Sequence, residues 1–143
     1  MVTLACIPAF NVENTINNVV KDVSNYVDKV IVCDDGSTDN TAIEAEKNGA
    51  LVVKHEKNYG YGAALITLFD KAREQNADVM ITLDADGQHR VKDIHTVLEP
   101  ILQNEADIVI RQDTEKILNA LSIPLRDAEN QRIGRLIVLN DVT

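Results

Sequence analysis

The chain has 143 residues with 23 acidic and 14 basic side chains, a formal charge of -9 and a composition that is 45% hydrophobic and 26% charged. That length suits one domain with at most a small appendage, and the composition is that of a globular chain rather than a disordered one. No apolar run reaches the ~20 residues of a membrane span. The acidic balance argues against nucleic acid as a partner, since such binding needs a basic face.

The charge is uneven. Residues 1–110 hold 18 acids and 9 bases, whereas residues 111–143 hold 5 of each, with Arg replacing Lys as the main base. This break predicts a boundary near 110. Cys6 and Cys33 sit inside apolar runs and read as buried free thiols. With no basic, apolar leader at Met1–Ile7, they point to a cytoplasmic setting.

In chain order, Val2–Ile7 reads as a strand ended by Pro8. A helix over Glu13–Ser24 follows, with Ile16, Val19, Val20 and Val23 at helical spacing. Lys29–Cys33 is a second strand that stops at Asp34-Asp35-Gly36-Ser37. A helix to about Lys47 is closed by Asn48-Gly49, and Ala50–Lys54 is a third strand. Asn58-Tyr59-Gly60-Tyr61-Gly62 turns into a helix through Gln75. Val79–Leu83 is a fourth strand, followed by Asp84-Ala85-Asp86-Gly87, a helix over Val91–Gln103 and a fifth strand over Asp107–Ile110. Continuous apolar strands alternating with helices predict an open, mostly parallel α/β sheet covered on both faces. The tail departs from this rhythm: Leu121, Ile123 and Leu125 alternate with small or polar residues, Asp127–Gln131 is turn-like and Ile133–Leu139 is another strand. That pattern predicts a C-terminal β-hairpin.

In such sheets ligands bind beyond the carboxyl ends of the strands. Small, acidic and amide residues collect there: Pro8, Phe10, Asn11 and Glu13 after the first strand, Asp34 and Asp35 after the second, Asn58, Gly60 and Gly62 after the third, Asp84, Asp86 and Gln88 after the fourth. Carboxylates two apart, as at Asp84 and Asp86, suit one hard divalent cation, and the same residues also suit a solvated helix start. Asp34-Asp35-Gly36-Ser37 fits a base or ribose contact and equally a turn with a helix cap. His55 and His95 read as surface residues, His89 as a rim group, and Lys54-His55-Glu56-Lys57 as a solvated strand end.

Taken together, Ile7-Pro8-Ala9-Phe10-Asn11-Val12-Glu13, Val30-Ile31-Val32-Cys33-Asp34-Asp35-Gly36-Ser37-Thr38-Asp39, Asn58-Tyr59-Gly60-Tyr61-Gly62 and Asp84-Ala85-Asp86-Gly87-Gln88-His89 resemble family 2 glycosyltransferases of the GT-A fold, most closely the polyprenol- or dolichol-phosphate mannose and glucose synthases. The likeness covers about residues 1–110. It implies a GT-A (Rossmann-like) α/β/α sandwich and transfer of a hexose from a GDP- or UDP-linked donor to an acceptor such as a polyprenyl phosphate at a membrane surface, with Mg²⁺ or Mn²⁺. It also implies that Pro8, Phe10, Glu13, Asp35, Asn58, Gly60, Gly62 and Asp84 bind the donor nucleotide, and that Asp84, Asp86 and Gln88 hold the metal and diphosphate.

Two residues depart from the family pattern: Phe10 stands where Tyr is frequent, and Tyr61 where Lys or Arg is frequent. Past Ile110 the chain leaves the pattern, and the family's second half, with its acceptor contacts and usual catalytic base, does not follow. Residues 111–143 look instead like the closing hairpin of PAS-type sensory domains. The expectation is thus a donor-binding part of a GT-A domain at 1–110 and a divergent hairpin tail at 111–143, with self-association through the face the second half would cover. The competing expectation is a GT-A-like signalling or interaction module without catalysis.

Overall fold

The computed structural model describes residues 2–86, Ile94, Glu99, 108–112, 117–126, Glu129 and 132–142. Its elements are β1 (Thr3–Ala9), α1 (Ile16–Val23), β2 (Lys29–Asp34), α2 (Thr41–Lys47), β3 (Leu51–Lys54), α3 (Tyr61–Glu74), β4 (Val79–Thr82), β5 (Ile108–Gln112), β6 (Ile117–Arg126) and β7 (Arg132–Val142). Among the described residues the strands form one seven-stranded sheet in the order β3-β2-β1-β4-β7-β6-β5.

The first four strands are parallel, as the alternating pattern predicts. Ala5 lies beside Val30 on β2 and beside Ile81 on β4, which makes β1 central. Successive side chains of a strand point to opposite faces, and here each set finds its own cover. Ala5, Ile7, Val30 and Val32 pack with Ile16, Val19, Val20 and Val23 of α1, Ala45 of α2 and Ile94. Leu4, Cys6, Ile31, Cys33 and Met80 pack on the other face with Ala64, Leu68 and Ala72 of α3. The result is the three-layer α/β/α arrangement. A fully buried side chain such as Leu68 contributes about 2 kcal/mol by leaving water.

β1 runs through Pro8 to Ala9, two residues past the end expected at Ile7. Proline lacks an N–H and is disfavoured inside a sheet. Here the ladder to β4 ends at Cys6, so Pro8 lies where β1 is bonded on the β2 side alone. α1 is shorter than expected because residues 12–15 form a turn, with Ile16 N–H bonded to the Val12 carbonyl.

The tail forms the expected hairpin: β6 pairs antiparallel with β7, with a register shift at Leu125/Arg126. β7 then lies parallel to β4, so the hairpin extends the same sheet. The fifth strand is displaced to the far edge, where β5 runs antiparallel to β6. Its position corrects the expectation of a fifth parallel crossover strand: β7 takes the place beside β4. The helix expected over 91–103 lies largely outside the described residues, although Ile94 and Glu99 are helical and Ile94 is buried. Among the described residues no helix is long and apolar enough to cross a membrane.

Candidate functional site

β1 outruns β4: its pairing with β4 ends at Cys6, and the Leu83 N–H makes a last bond to the Cys6 carbonyl at 3.3 Å. A cleft of about 260 Å³ lies at the carboxyl edge, lined by Pro8, Ala9, Phe10, Asp35, Asn58, Gly60, Tyr61 and Ala64. Five of the residues expected to hold a nucleotide (Pro8, Phe10, Asp35, Asn58 and Gly60) therefore share one wall. Phe10 is 45% exposed, with its ring offered to the cleft rather than to the core.

Asp35 anchors that wall. It follows β2 directly and is only 4% exposed. Its Oδ1 accepts hydrogen bonds from the Tyr59 N–H at 2.9 Å and from His55 Nδ1 at 2.8 Å. Its Oδ2 accepts the Gly60 N–H at 2.9 Å. Burial alone would push this carboxyl up, but the bonds from His55, Tyr59 and Gly60 outweigh it and hold Asp35 below the usual carboxylate range. Gly60 meets Asp35 with φ of +101°, a backbone conformation glycine adopts without strain. Gly36 has φ of +76°, and a Cβ there would lie 2.3 Å from the Lys57 carbonyl carbon, so the two turns touch backbone to backbone.

The other expected contacts are placed differently. Glu13 does not line the cleft. Its Oε2 accepts the Asn40 N–H at 3.0 Å, while its own N–H donates to Asp39 Oδ2 at 3.2 Å, so Glu13 fastens the turn after β1 to the start of α2. Burial pushes the Asp39 carboxyl up, but bonds from the Thr41 hydroxyl and from the Thr41 and Glu13 amides bring it below its ordinary value. Asn11, at φ of +51°, closes the same junction: its N–H donates to Ser37 Oγ and its side-chain oxygen accepts the Thr38 N–H, both at 2.9 Å. Gly62 lies one residue into α3 and is exposed.

Asp84 and Asp86 are both exposed, with the buried Ala85 between them. Asp84 stands opposite α3: the Tyr61 phenol is pushed up, first by burial and then by the negative charge of Asp84. Asp84 therefore acts by charge on a residue that lines the cleft. Gln88 and His89 lie outside the described residues. Among the described residues no group of three or more His, Cys, Asp or Glu side chains is arranged to hold a metal ion. The protein thus offers two carboxylates, the donor set typical of a Mg²⁺- or Mn²⁺-type ion that takes its other ligands from phosphate and water.

His55 corrects the sequence reading. It is not a surface residue: its side chain is 13% exposed, bonded to Asp35, with Nε2 2.7 Å from the Thr67 hydroxyl and 3.6 Å from Cys33 Sγ. The register contains the signal. Asp34 pairs with Lys54, so the next residues along two parallel strands, Asp35 and His55, are neighbours. Burial and the charges of Asp35 and Asp34 push the Cys33 thiol up to about 11, despite an opposing bond from Thr67, and burial takes Cys6 to about 12.

A parallel α/β/α sandwich with a carboxylate-rimmed cleft at its carboxyl edge is the architecture of GT-A glycosyltransferases, and solved structures share it. The Mycobacterium tuberculosis glucosyl-3-phosphoglycerate synthase, crystallised with Mn²⁺, UDP-glucose and phosphoglyceric acid, superposes with a TM-score of 0.61 at 30% identity over 73% of this chain and 40% of that one. The chain belongs to glycosyl transferase family 2, whose family model matches residues 4–135. It is 36% identical, over 91% of its length, to 57% of a UDP-N-acetylglucosamine–dolichyl-phosphate N-acetylglucosaminyltransferase from Methanococcus voltae. It is 30% identical, again over 91% of its length, to 41% of a dodecaprenyl-phosphate galacturonate synthase from Rhizobium johnstonii. The chain thus spans about half the length of these curated relatives.

Proposed function

We propose that residues 1–110 form the donor half of a glycosyltransferase site that binds a nucleotide-diphosphate sugar with Mg²⁺ or Mn²⁺, for transfer of the sugar to a polyprenyl phosphate. The observation that carries this reading is the shared cleft: Asp35 and Phe10 stand in its wall, and the charge of Asp84 reaches Tyr61 on its border. Phe10 offers a face for a nucleobase to stack on. Asp35 is kept ionised, and its three bonds use three of the roughly four acceptor positions of a carboxylate. It therefore retains the capacity to accept an N–H from a base. Pro8, Asn58 and Gly60 complete the nucleoside wall; Glu13 acts by bracing it, and Gly62 lets the diphosphate approach the start of α3.

Asp84, Asp86 and Gln88 would hold the cation, which when bound offsets the charge that develops on the leaving diphosphate. The acidic net charge of the chain is compatible with an anionic donor for the same reason. The relatives favour uridine over guanosine: one is named for a UDP-sugar, and a structural neighbour was crystallised with one. Two of the relatives also carry polyprenyl- or dolichyl-phosphate acceptors in their names.

Titration calorimetry of UDP and GDP, each with and without Mn²⁺, tests the proposal. Metal-dependent UDP binding is expected. No binding of either nucleotide at millimolar concentration with metal would overturn it.

A further inference from the structure

His55 is bonded through its backbone and its ring to residues from separate parts of the fold. Its backbone N–H donates to the Asp34 carbonyl at 2.9 Å, extending the β2–β3 ladder by one bond. Asp35 is an ionised carboxylate and can only accept, so Nδ1 carries the proton of the 2.8 Å bond. Nε2 lies 2.7 Å from the Thr67 hydroxyl, a group that can serve as donor or acceptor. Thr67 lies on α3, the helix that begins at Tyr61 on the cleft wall. The Tyr59 ring packs edge-on against the imidazole, with centroids 5.4 Å apart.

We infer that His55 is a positioning residue for the donor site: through Asp35 and Thr67 it sets the orientation of the Asp35 carboxylate and the conformation of the 58–60 turn against α3. The inference deepens the donor-binding reading and rests on it for its ligand. The physical case is one of degrees of freedom. A carboxylate held by two backbone amides of a single turn can still swing together with that turn. The imidazole adds a third, charge-assisted bond from the residue that follows β3, and Thr67 prevents the ring from rotating about its Cβ–Cγ bond. Asp35 is thereby fixed relative to β3 and α3 as well as to its own turn. A site that binds a rigid ligand gains from such preorganisation by losing less freedom on association.

The test compares the full chain with His55→Phe, His55→Asn and Thr67→Val. Asparagine places an amide N–H where Nδ1 stands, so it restores the bond to Asp35 without the bond to Thr67. Two readouts are taken: UDP affinity with Mn²⁺ by calorimetry, and amide hydrogen exchange at Tyr59 and Gly60 by NMR without ligand. His55→Phe is expected to weaken UDP binding about ten-fold, the scale of one lost bond to a charged group, and to speed exchange at both amides. His55→Asn should recover most of both losses, and Thr67→Val should show a smaller change of the same sign. Unchanged affinity and exchange in His55→Phe would overturn the inference, as would an asparagine variant no better than phenylalanine. If the unaltered chain binds no nucleotide, the donor-binding reading fails, and the exchange rates still decide the role of His55. If His55→Phe does not fold, Thr67→Val and His55→Asn decide: unchanged exchange in Thr67→Val, together with loss in His55→Asn equal to unfolding, would overturn it.

Discussion

The hydroxyl of Thr15 donates a 2.6 Å hydrogen bond to the carbonyl oxygen of Ala85, seventy positions further along the chain. Thr15 immediately precedes α1, and Ala85 is the buried residue between two exposed carboxylates, so the bond ties the acidic turn to the helix that follows β1. Thr15→Val keeps the shape of the side chain and removes the donor. The expected stability loss is about 1 kcal/mol in urea denaturation, with a several-fold weaker Mn²⁺-dependent UDP affinity because Asp84 and Asp86 lose their common support. A variant with lowered stability and unchanged metal-dependent affinity would show that the turn needs no such anchor.

Asp86→Ala separates metal chemistry from stability. The side chain is exposed, and the denaturation midpoint measured alongside shows how much of any change is stability. Binding of UDP in the presence of Mn²⁺ should be abolished, leaving whatever weak binding occurs without metal. Equal affinities in the two chains would remove Asp86 from the site.

Asp35 makes stability depend on acid in a definite direction. Its folded value lies below the ordinary one near 3.8, so the folded state stabilises the ionised form. That contribution is fully present above the unfolded value and is lost as pH falls through the folded one. Denaturation midpoints measured from pH 6 down to pH 2 should therefore show Asp35→Asn well below the unaltered chain at pH 6, with the gap narrowing in acid. A gap that does not vary with pH would mean that ionisation of Asp35 is not what the three bonds stabilise.

Gly36→Ala should be among the most damaging single changes in the chain. The residue must adopt a left-handed conformation, and the new Cβ would meet the Lys57 backbone at 2.3 Å. Strain of this kind costs on the order of 1–3 kcal/mol before the collision is relieved. Thermal denaturation should show a large drop, and the turn at 57–60 should shift away from Asp35 in NMR spectra. A stability equal to that of the unaltered chain would contradict the close approach.

The two thiols should be inert in the folded protein. Both are buried, and their values near 11 and 12 leave almost no thiolate at neutral pH. Iodoacetamide at pH 8 followed by mass spectrometry should show labelling only after denaturation. Rapid labelling of Cys33 in the native chain would imply that the His55–Thr67 cluster opens.

Much of this molecule is legible along the chain. Continuous apolar runs mark β1 to β4 because strands covered on both faces need apolar residues at every position. The abrupt change to Asp, Asn and Gly after each run marks the carboxyl edge, and with it Pro8, Phe10, Asp35, Asn58 and Gly60. The alternation at Leu121, Ile123 and Leu125 marks the hairpin. Glu13 and His55 were legible only as polar residues of the right region. The bond from the Asn40 N–H to Glu13 could not be read from the chain, while His55 was expected in solvent and instead lies against Asp35.

What the chain by itself determines is therefore the rhythm of strand and helix and the chemistry collected at one edge, since both follow from local periodicity and composition. What the tertiary structure decides is which residues distant in sequence become neighbours. Register places His55 beside Asp35, helix packing brings Thr67 to the same imidazole, and the hairpin sets β7 rather than β5 next to β4. Each depends on pairing between segments whose own sequences do not name their partner, and pairing of that kind is chosen by the burial and hydrogen bonding of the whole sheet.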